Sequence, residues 1–354
     1  MVVFGVDPHK KTHTVVAVDE HGTPLGQLTV KARDAGHRAL LRWARGFGGP
    51  RRWAVEDCRH VAGRLLRDLA GAGEAVVRVP PRLTGALRAS ARTRGKSDPI
   101  DALAVARACL REPGLPTGGL DPQALELRLL VDRREQLVAW RTAEINRLRW
   151  HLVELDPDLE AAAVLTSARG IERIRVAVAA MPASTRQRIA LGQLATIASA
   201  TLEIRALERE ITAMVTPIAP ALLAIVGVGP LTAAKLVGEV GGIERFTRSA
   251  QLAAHAGIAC IPVWTGNRER HRLNRGGNRQ INAAVHRVAL TQARMHPPAQ
   301  ALLKRRKQAH DTRKGAMRVL KRHLIDVIFT AMNQDHANHH ALPVTPALPT
   351  GTAA

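Results

Sequence analysis

The chain has 354 residues, which is enough for two or three domains with separate hydrophobic cores. Its formal net charge of +22, much of it from arginine, points to a polyanionic partner, with nucleic acid as the leading candidate. The sequence contains no tyrosine, which excludes the enzymes that attack DNA with a tyrosyl oxygen, such as tyrosine recombinases and topoisomerases. A protein nucleophile in this chain must be Ser, Thr, Cys, His or a carboxylate.

The cysteines Cys58, Cys109 and Cys260 are far apart in the sequence and form no CxxC pair. This spacing favours neither a disulfide framework nor a structural zinc site, so we expect a protein of the reducing cytoplasm. The N-terminal residues show no signal-peptide pattern, and no apolar run approaches the roughly 20 residues of a membrane span. We therefore expect no membrane partner.

Short apolar runs alternate with helical patterns through the first 112 residues. The pattern predicts helices at 35–47 and 61–70 and strands at 2–7, 14–19, 27–31, 52–56 and 75–79. Three early strands followed by alternating helices and strands indicate a mixed sheet with helices on both faces. This α/β order matches a ribonuclease-H-like fold, so residues 1–112 are predicted to form the first domain.

Long helices are predicted in the middle of the chain. Residues 122–155 carry apolar side chains at every seventh position, and residues 194–218 repeat that spacing. Sustained heptad spacing favours a coiled coil or a long helical hairpin within 113–221, with two helices of an ordinary bundle as the alternative. A helical C-terminal domain is predicted at 222–333, and residues 334–354 are predicted to be disordered because they lack periodicity.

Four acids occupy positions from which metal sites are built. Asp7 and Glu56 end two apolar strands, and Asp98 and Asp101 lie three residues apart at the start of a helical pattern, where both project from one face. Carboxylates from separate elements can hold two Mg²⁺ ions, which activate a nucleophile and offset the charge that develops on phosphorus. The sequence therefore predicts a catalytic two-magnesium site that cuts or rejoins nucleic acid. Each acid taken alone has an ordinary alternative role as a turn residue or a helix cap.

Basic residues precede the helical acid pair. Arg92, Arg94 and Lys96 are predicted to hold phosphates of the strand being processed, with a solvated loop as the alternative. Asp19 and Asp57 are neighbours of the strand-end acids, and we interpret them as non-ligands.

A glycine-rich segment follows the second long helix. In Ile-Val-Gly-Val-Gly-Pro-Leu-Thr-Ala-Ala-Lys-Leu at 225–236, Gly227 and Gly229 precede a helix start. The arrangement resembles a helix-hairpin-helix motif, in which backbone N–H groups at a helix N-terminus approach phosphate without contacting bases. A purely structural helical turn is the alternative.

The strongest local charge excess lies in the last third of the chain. Between Thr265 and Arg322 there are sixteen Lys and Arg residues against two acids. This concentration predicts a nucleic-acid surface, on which Arg272, Arg275, Asn278 and Arg279 would position phosphate. Aromatic residues are scarce, so base stacking is not expected to dominate binding.

These features together resemble one family, the DEDD transposases of the IS110 and IS1111 insertion sequences, which also includes the Piv DNA invertases. The resemblance rests on the paired long helices and on five segments: Gly-Val-Asp-Pro-His-Lys at 5–10, Val-Glu-Asp at 55–57, Lys-Ser-Asp-Pro-Ile-Asp-Ala at 96–102, Gly-Val-Gly-Pro-Leu-Thr-Ala at 227–233 and Arg-Gly-Gly-Asn-Arg-Gln-Ile-Asn at 275–282. It spans most of the chain.

The resemblance implies a RuvC-like N-terminal domain whose four acids match Asp7, Glu56, Asp98 and Asp101. It also implies a C-terminal transposase domain with a serine nucleophile that becomes linked to DNA, and a site shared between the two domains. A dimer or tetramer and a noncoding bridge RNA that specifies the target and donor DNA are further implications. The chain departs from the family in having Trp264-Thr265-Gly266 where a Ser-Gly pair is usual, so Thr265 is the expected nucleophile. Threonine is bulkier and stiffer about χ1 than serine.

Three functions follow from these residues. The first is an RNA-guided, magnesium-dependent DNA transposase or recombinase with Thr265 as the nucleophile. The second is a RuvC-like nuclease in which water attacks the phosphodiester and Thr265 is structural. The third is a transposase that has lost catalysis and still binds nucleic acid, which the threonine favours and the four retained acids oppose.

Overall fold

The computed structural model describes residues 1–57, 61–89, 97–112, 114–115, 121–161, 164–266 and 268–341. The chain divides into two compact units. One contains residues 1–121 with the short segment 244–248, and the other contains residues 122–243 and 249–354. Each unit has its own hydrophobic core.

The first unit follows the predicted order of strands and helices closely. Its elements are β1 (Val2–Pro8), β2 (Thr12–Val18), β3 (Pro24–Lys31), α1 (Asp34–Arg45), β4 (Arg51–Glu56), α2 (Gly63–Gly71), β5 (Val76–Val79), α3 (Pro81–Ala89) and α4 (Asp98–Arg111). The strands form one mixed sheet in the order β3-β2-β1-β4-β5. β1 is antiparallel to β2 and parallel to β4, so the predicted mixed sheet is confirmed.

Helices cover both faces of this sheet. Phe4 and Val6 of β1 face one core, which α1 and α2 complete with apolar side chains such as Leu40 and Leu65. Val3 faces the other core, which α4 completes. β1 is buried along its whole length because it is the central strand, whereas the edge strand β3 alternates between exposed and partly buried residues.

Gly5 determines how closely α4 approaches the sheet. A Cβ atom at this position would lie 2.1 Å from the backbone oxygen of Ala102 and 2.7 Å from the Cβ of Ala106. Only glycine therefore permits this contact. Since α4 begins at Asp98, the missing side chain on β1 places the first turn of the helix beside the end of the central strand.

His13 lies on the sheet face that α1 covers. It is 1% exposed, and its ring stacks on that of His37 with 5.2 Å between the ring centroids. Burial, together with the nearby rings of His37 and His9, lowers the pKa of His13 to about 4. The folded state therefore holds neutral imidazole here.

We predict that His13 makes the fold acid-sensitive. Its folded pKa of about 4 is below the ordinary value of 6.5, so its stabilising contribution is complete above pH 6.5 and is lost as the pH falls toward 4. When the pH is lowered from 7.5 to 4.5, the free energy of unfolding should fall by about 2–3 kcal/mol less in His13→Phe than in the wild type. Urea denaturation at the two pH values measures this difference. The exposed His21→Gln should keep the wild-type pH dependence, and equal pH dependence in wild type and His13→Phe would refute the prediction.

The second unit is helical apart from one hairpin. Its elements are α5 (Pro122–Leu155), α6 (Pro157–Ala161), α7 (Ala168–Ala179), α8 (Thr185–Ile218), α9 (Pro220–Leu223), α10 (Pro230–Val240), α11 (Ser249–His255), β6 (Ile261–Thr265), β7 (Arg268–Arg272), α12 (Arg279–Met295), α13 (Pro297–Gln308) and α14 (Arg313–Ala341). In the described part of the chain, no helix is both long and apolar enough to cross a membrane.

α5 and α8 pack against each other as an antiparallel hairpin. Arg133 binds Glu203 and, two turns later, Arg141 binds Thr201, so one helix ascends as the other descends. The predicted heptad positions Ile145, Leu152 and Ile204 are buried. α5 and α8 thus form a long helical hairpin, one of the two arrangements that the heptad spacing predicts, and the coiled coil stays a prediction.

Two predicted boundaries in this unit differ from the structure. α8 begins at Thr185, nine residues before the predicted start, because the Ser184 hydroxyl caps its first turn by accepting from Gln187 N–H. α14 continues to Ala341, so 334–341 are helical and the prediction of disorder there is wrong. The Asp335 carboxylate, 5% exposed, accepts the N–H groups of Ala221 at 2.7 Å and Leu222 at 3.0 Å, which anchors this last part of α14. Residues 342–354 lie outside the described residues.

A buried ammonium group connects α10 to α5. Lys235 is 2% exposed, and its Nζ lies 2.8 Å from Glu135 Oε2, 3.3 Å from Asp132 Oδ1 and 3.9 Å from Glu239 Oε1. The Nδ2 group of Asn278, at the start of α12, donates to Glu239 at 2.7 Å. The lysine of the glycine-rich segment therefore has a structural role that no sequence pattern indicated.

We predict that Lys235→Met destabilises the second unit by about 3–5 kcal/mol, because the carboxylates around the ammonium lose their counter-charge. Arg133→Gln breaks the exposed pair with Glu203 and should cost less than about 1 kcal/mol. Urea denaturation compares the two variants. A loss for Lys235→Met no larger than that of the control would contradict the proposed buried network.

Candidate metal and nucleic-acid sites

The predicted acids of the first unit meet at one edge of its sheet. β1 and β4 are parallel neighbours with Val6 opposite Val55, so Asp7 and Glu56, the next residues, lie at the same end. α4 begins beside that end because of the contact at Gly5, and its first turn carries Asp98 and Asp101. Asp7 is 4% exposed, whereas Asp98 faces solvent.

The surroundings of Asp7 disfavour the ionised form of its carboxyl group. Burial raises its pKa, the neighbouring His9 opposes that rise, and the charges of Glu56 and Asp101 raise the pKa further. A buried carboxylate close to two others gains from any cation that binds among them.

His9 links two of the acids and was not predicted as a site residue. Its Nε2 atom donates to Asp7 Oδ2 at 3.0 Å and lies 3.4 Å from Asp98 Oδ1. The backbone N–H of His9 donates to Thr12 O at 2.8 Å, which closes the turn between β1 and β2. The imidazole thus holds the end of the central strand and the first turn of α4 together. Its position two residues after Asp7 was the only sequence signal.

Thr84 positions Glu56 and was also missed. Its hydroxyl, on the buried side of α3, donates to Glu56 Oε1 at 2.7 Å. The adjacent Asp57 has a different environment: its carboxylate lies 3.8 Å from Arg78 Nη1, and its backbone N–H donates to Val79 O. Asp57 therefore has its own cationic partner.

The donor atoms at this edge fit a divalent cation. Ligand atoms of Asp7, His9 and Asp98 all lie within 4.8 Å of one another. Carboxylate oxygens are ligands that Mg²⁺ takes from proteins, and a bound cation would offset the burial and the neighbouring acids that raise the pKa of Asp7.

A second group in the described residues, Asp34, His37 and Asp68, has similar spacing. Its Asp34 is already paired with a permanent cation, Arg64 Nη2 at 2.5 Å, whereas no Lys or Arg of the described residues pairs with Asp7 or Asp98. The first group is therefore the better metal site.

The predicted nucleophile lies in the hairpin of the second unit. Thr265 is the last residue of β6, and its backbone pairs with that of Arg268 at the start of β7. Gly266 follows with φ +58°, a left-handed conformation that favours glycine. The preceding Trp264 is 67% exposed, an unusual position for a large aromatic side chain.

The two glycines of the predicted phosphate-binding segment have different environments. Gly227 has φ +88°, and a Cβ there would lie 3.1 Å from Thr291 of α12, so this glycine serves packing. Gly229 is the N-cap of α10 and has open space around its Cα. The space that the predicted approach of phosphate requires is open at Gly229, the N-cap of α10, and the prediction for Gly227 stays untested by this packing.

The predicted phosphate-binding residues near α12 also differ in their exposure to solvent. Arg272, Arg275 and Arg279 are exposed. Asn278 is 8% exposed and caps α12 by accepting from Gln280 N–H, while its Nδ2 group donates to Glu239. The structure thus shows Asn278 positioning the start of α12, and its direct contact with phosphate stays a prediction. Arg92, Arg94 and Lys96 lie outside the described residues.

Comparisons with known proteins agree with these features. The chain is 27% identical to the IS116 insertion element 44.8 kDa protein of Streptomyces clavuligerus, over 96% of this chain and 97% of that protein. It is 27% identical to the IS900 insertion element 42 kDa protein of Mycobacterium paratuberculosis, over 97% of this chain and 98% of that protein. It is also 31% identical to the transposase of insertion sequence IS1111A from Coxiella burnetii, over 49% of this chain and 48% of that protein.

Among solved structures, RuvC of T. thermophilus in complex with a Holliday junction substrate is 20% identical, with a TM-score of 0.25, over 30% of this chain and 91% of RuvC. Two family models match the sequence directly. The DEDD transposase model of IS110 matches residues 4–157, and the model of the IS116/IS110/IS902 transposase family matches residues 219–304. The chain belongs to the IS110 family of insertion-sequence transposases.

Proposed function

We propose that the protein is a transposase that cleaves and exchanges DNA strands with the help of divalent metal ions. The observation that carries this proposal is the convergence of Asp7, Glu56, Asp98 and Asp101 at one sheet edge. These acids come from three separate elements. If each acid had only a structural role of its own, there would be no reason for the four carboxylates to lie close together.

Asp7, Glu56, Asp98 and Asp101 would hold two Mg²⁺ ions. Bound there, the ions supply activation of the attacking oxygen and neutralisation of charge on the phosphorane and on the leaving oxygen. Asp7 would be the shared ligand because it is the most buried of the four. Thr84 keeps the Glu56 carboxylate oriented, since its hydroxyl already occupies one lone pair of Oε1. His9 keeps Asp7 and Asp98 together in the absence of a cation.

Thr265 is the proposed nucleophile. Its Oγ gives up its proton and forms a bond to phosphorus as the bond from phosphorus to the leaving DNA oxygen breaks, and the leaving oxygen takes up a proton, so that no net proton is released. The covalent intermediate conserves the phosphodiester energy, so a second DNA hydroxyl can reverse the reaction and rejoin strands. Exposed Arg272, Arg275 and Arg279, together with the open N-terminus of α10 at Gly229, would hold the phosphates.

Membership of the family supports two further partners. We propose a noncoding bridge RNA that specifies donor and target DNA, and a homodimer or tetramer as the active assembly. The net charge of +22 accommodates both nucleic acids. Arg92, Arg94 and Lys96, which precede Asp98 in the sequence, are proposed phosphate contacts.

A plasmid recombination assay tests this function. A donor plasmid with the element ends, a target plasmid and the RNA transcribed beside the gene are mixed with protein in Mg²⁺ or in EDTA. Joined products should form only with Mg²⁺ and RNA together. Equal product yield without RNA would refute guidance, and equal yield in EDTA would refute metal dependence.

The nuclease that uses water, with Thr265 as a structural residue, is the second candidate, because the four acids alone suffice for metal-assisted hydrolysis. In that case cleavage leaves hydrolysed ends and no covalent protein–DNA adduct on a denaturing gel. The decayed transposase would bind DNA in a salt-sensitive manner and would cleave under neither condition.

A further inference from the structure

A basic groove lies among the last three helices, and no predicted site residue lines it. α12, α13 and α14 enclose a cavity of about 790 Å³, which we call the α12–α14 groove. Its floor is apolar, with Leu290, Leu303 and Met317. This volume is within the range of pockets that enclose a small organic molecule, roughly 300–1,000 Å³.

Four cations surround this floor. Arg294, Lys304, Lys307 and Arg313 line the groove and are exposed. None of them has a carboxylate partner within the described ranges, unlike basic residues of α5 such as Arg133. Asp311 is the one acid in the lining, and it is bound by Arg306 Nε at 2.5 Å. The groove therefore has a net positive charge that only an external anion can neutralise.

Two connections between helices, one at each end of α13, fix the shape of the α12–α14 groove. His310, between α13 and α14, has φ +62°, a left-handed conformation that is unfavourable for a residue with a side chain. The N–H of Asp311 donates to Arg306 O at 3.0 Å across the same turn. At the other end of α13, the Gln300 side chain donates to Arg294 O at 2.8 Å, which ties α13 to α12.

We infer that the α12–α14 groove binds an unpaired segment of single-stranded DNA. Cations around an apolar floor match a ligand in which phosphates alternate with exposed apolar faces, and unpaired bases provide such faces. Duplex DNA keeps its bases stacked inside, so the floor would gain no contact from it. An acidic peptide would satisfy the cations and leave the floor uncovered.

DNA fits the lining better than RNA does. Among the lining residues, all in the described part of the chain, none carries a side-chain hydroxyl or amide. The one carboxylate in the lining that could accept from a 2′-hydroxyl, the group by which proteins distinguish RNA, is that of Asp311, which Arg306 already binds. This inference rests on the proposed function, since cleavage and exchange free the strand that would occupy the groove.

Fluorescence anisotropy of the full chain tests the groove without catalysis. The probes are labelled oligonucleotides of about 12 nucleotides, as single-stranded DNA, single-stranded RNA and duplex DNA, in EDTA. Lys307→Glu should weaken binding of single-stranded DNA at least tenfold and reduce the salt dependence, by about 0.7 in the log–log slope per lost phosphate contact. Leu290→Gln should weaken it about threefold with no change in slope.

Arg305→Glu is the matched control, because it makes the same charge change on an exposed residue of α13 outside the lining. It should change the affinity less than twofold. An equal loss in Lys307→Glu and Arg305→Glu, or a loss of RNA or duplex binding in Lys307→Glu as large as its loss of single-stranded DNA binding, would overturn the inference. EDTA makes this readout independent of the metal site. If the protein fails to cleave DNA in Mg²⁺ while groove binding in EDTA is intact, the proposed function is refuted and the groove inference is not.

Discussion

Replacing Asp7 with asparagine is expected to lower DNA cleavage at least about 10³-fold, or ~4 kcal/mol of transition-state stabilisation, without unfolding the protein. Asparagine keeps the shape of the side chain and removes the charge that a cation requires. Because burial raises the pKa of Asp7, its ionised form is destabilising at pH values above that pKa. The metal-free variant should therefore melt no lower than the wild type at neutral pH.

Two measurements check this prediction. Cleavage of element-end DNA in Mg²⁺ gives the rate, and calorimetry in EDTA gives the melting temperature. Asp57→Asn is the control, since Asp57 is the next carboxylate along the same sheet edge and faces Arg78. It should retain cleavage. A fully active Asp7→Asn, or a loss of activity explained by unfolding, would remove the support for a metal site.

Substitution of Thr265 has the second large effect. Thr265→Ala should abolish the covalent protein–DNA adduct and lower recombination by about 10³-fold or more, because no hydroxyl remains for attack. Thr265→Ser should form the adduct at least as fast as the wild type, since serine lacks the methyl group that restricts χ1.

A denaturing gel with labelled DNA detects the adduct directly. Ser249→Ala is the control: this hydroxyl, on α11, hydrogen-bonds Asp326 and should leave the adduct unchanged. An adduct that persists in Thr265→Ala would show that another group attacks. If wild type and Thr265→Ala cleave DNA equally and neither forms an adduct, the nuclease that uses water becomes the better account.

Local patterns predicted the first unit well because each strand of its sheet is marked within a few residues. The apolar run before Asp7 and the run before Glu56 end where the strands end, and Pro99 marks the first turn of α4. The close contact at Gly5 has no such mark, since an apolar run tolerates glycine for many reasons.

The missed features depend on contacts between distant residues. Thr84 reaches Glu56 across 28 positions, and Asp335 caps α9 across 114. Lys235 lies in an apolar helical pattern that gives no sign of acids 100 positions away. The start of α8 is different, because Ser184 followed three residues later by Gln187 is a capping pattern that the sequence does contain. The apolar heptad spacing begins only at residue 194, and the helix start was predicted from that spacing instead of from the capping pattern.

Iron-mediated cleavage of the protein backbone tests the central claim, that these acids bind a divalent ion. Fe²⁺ in place of Mg²⁺, with ascorbate and peroxide, generates radicals that cut the chain beside the bound ion, and mass spectrometry locates the cuts. We predict cuts near Asp7, Glu56 and Asp98 that excess Mg²⁺ suppresses and that Asp7→Asn lacks. Cuts confined to Asp34, His37 and Asp68, or a pattern unchanged by Mg²⁺, would contradict the account.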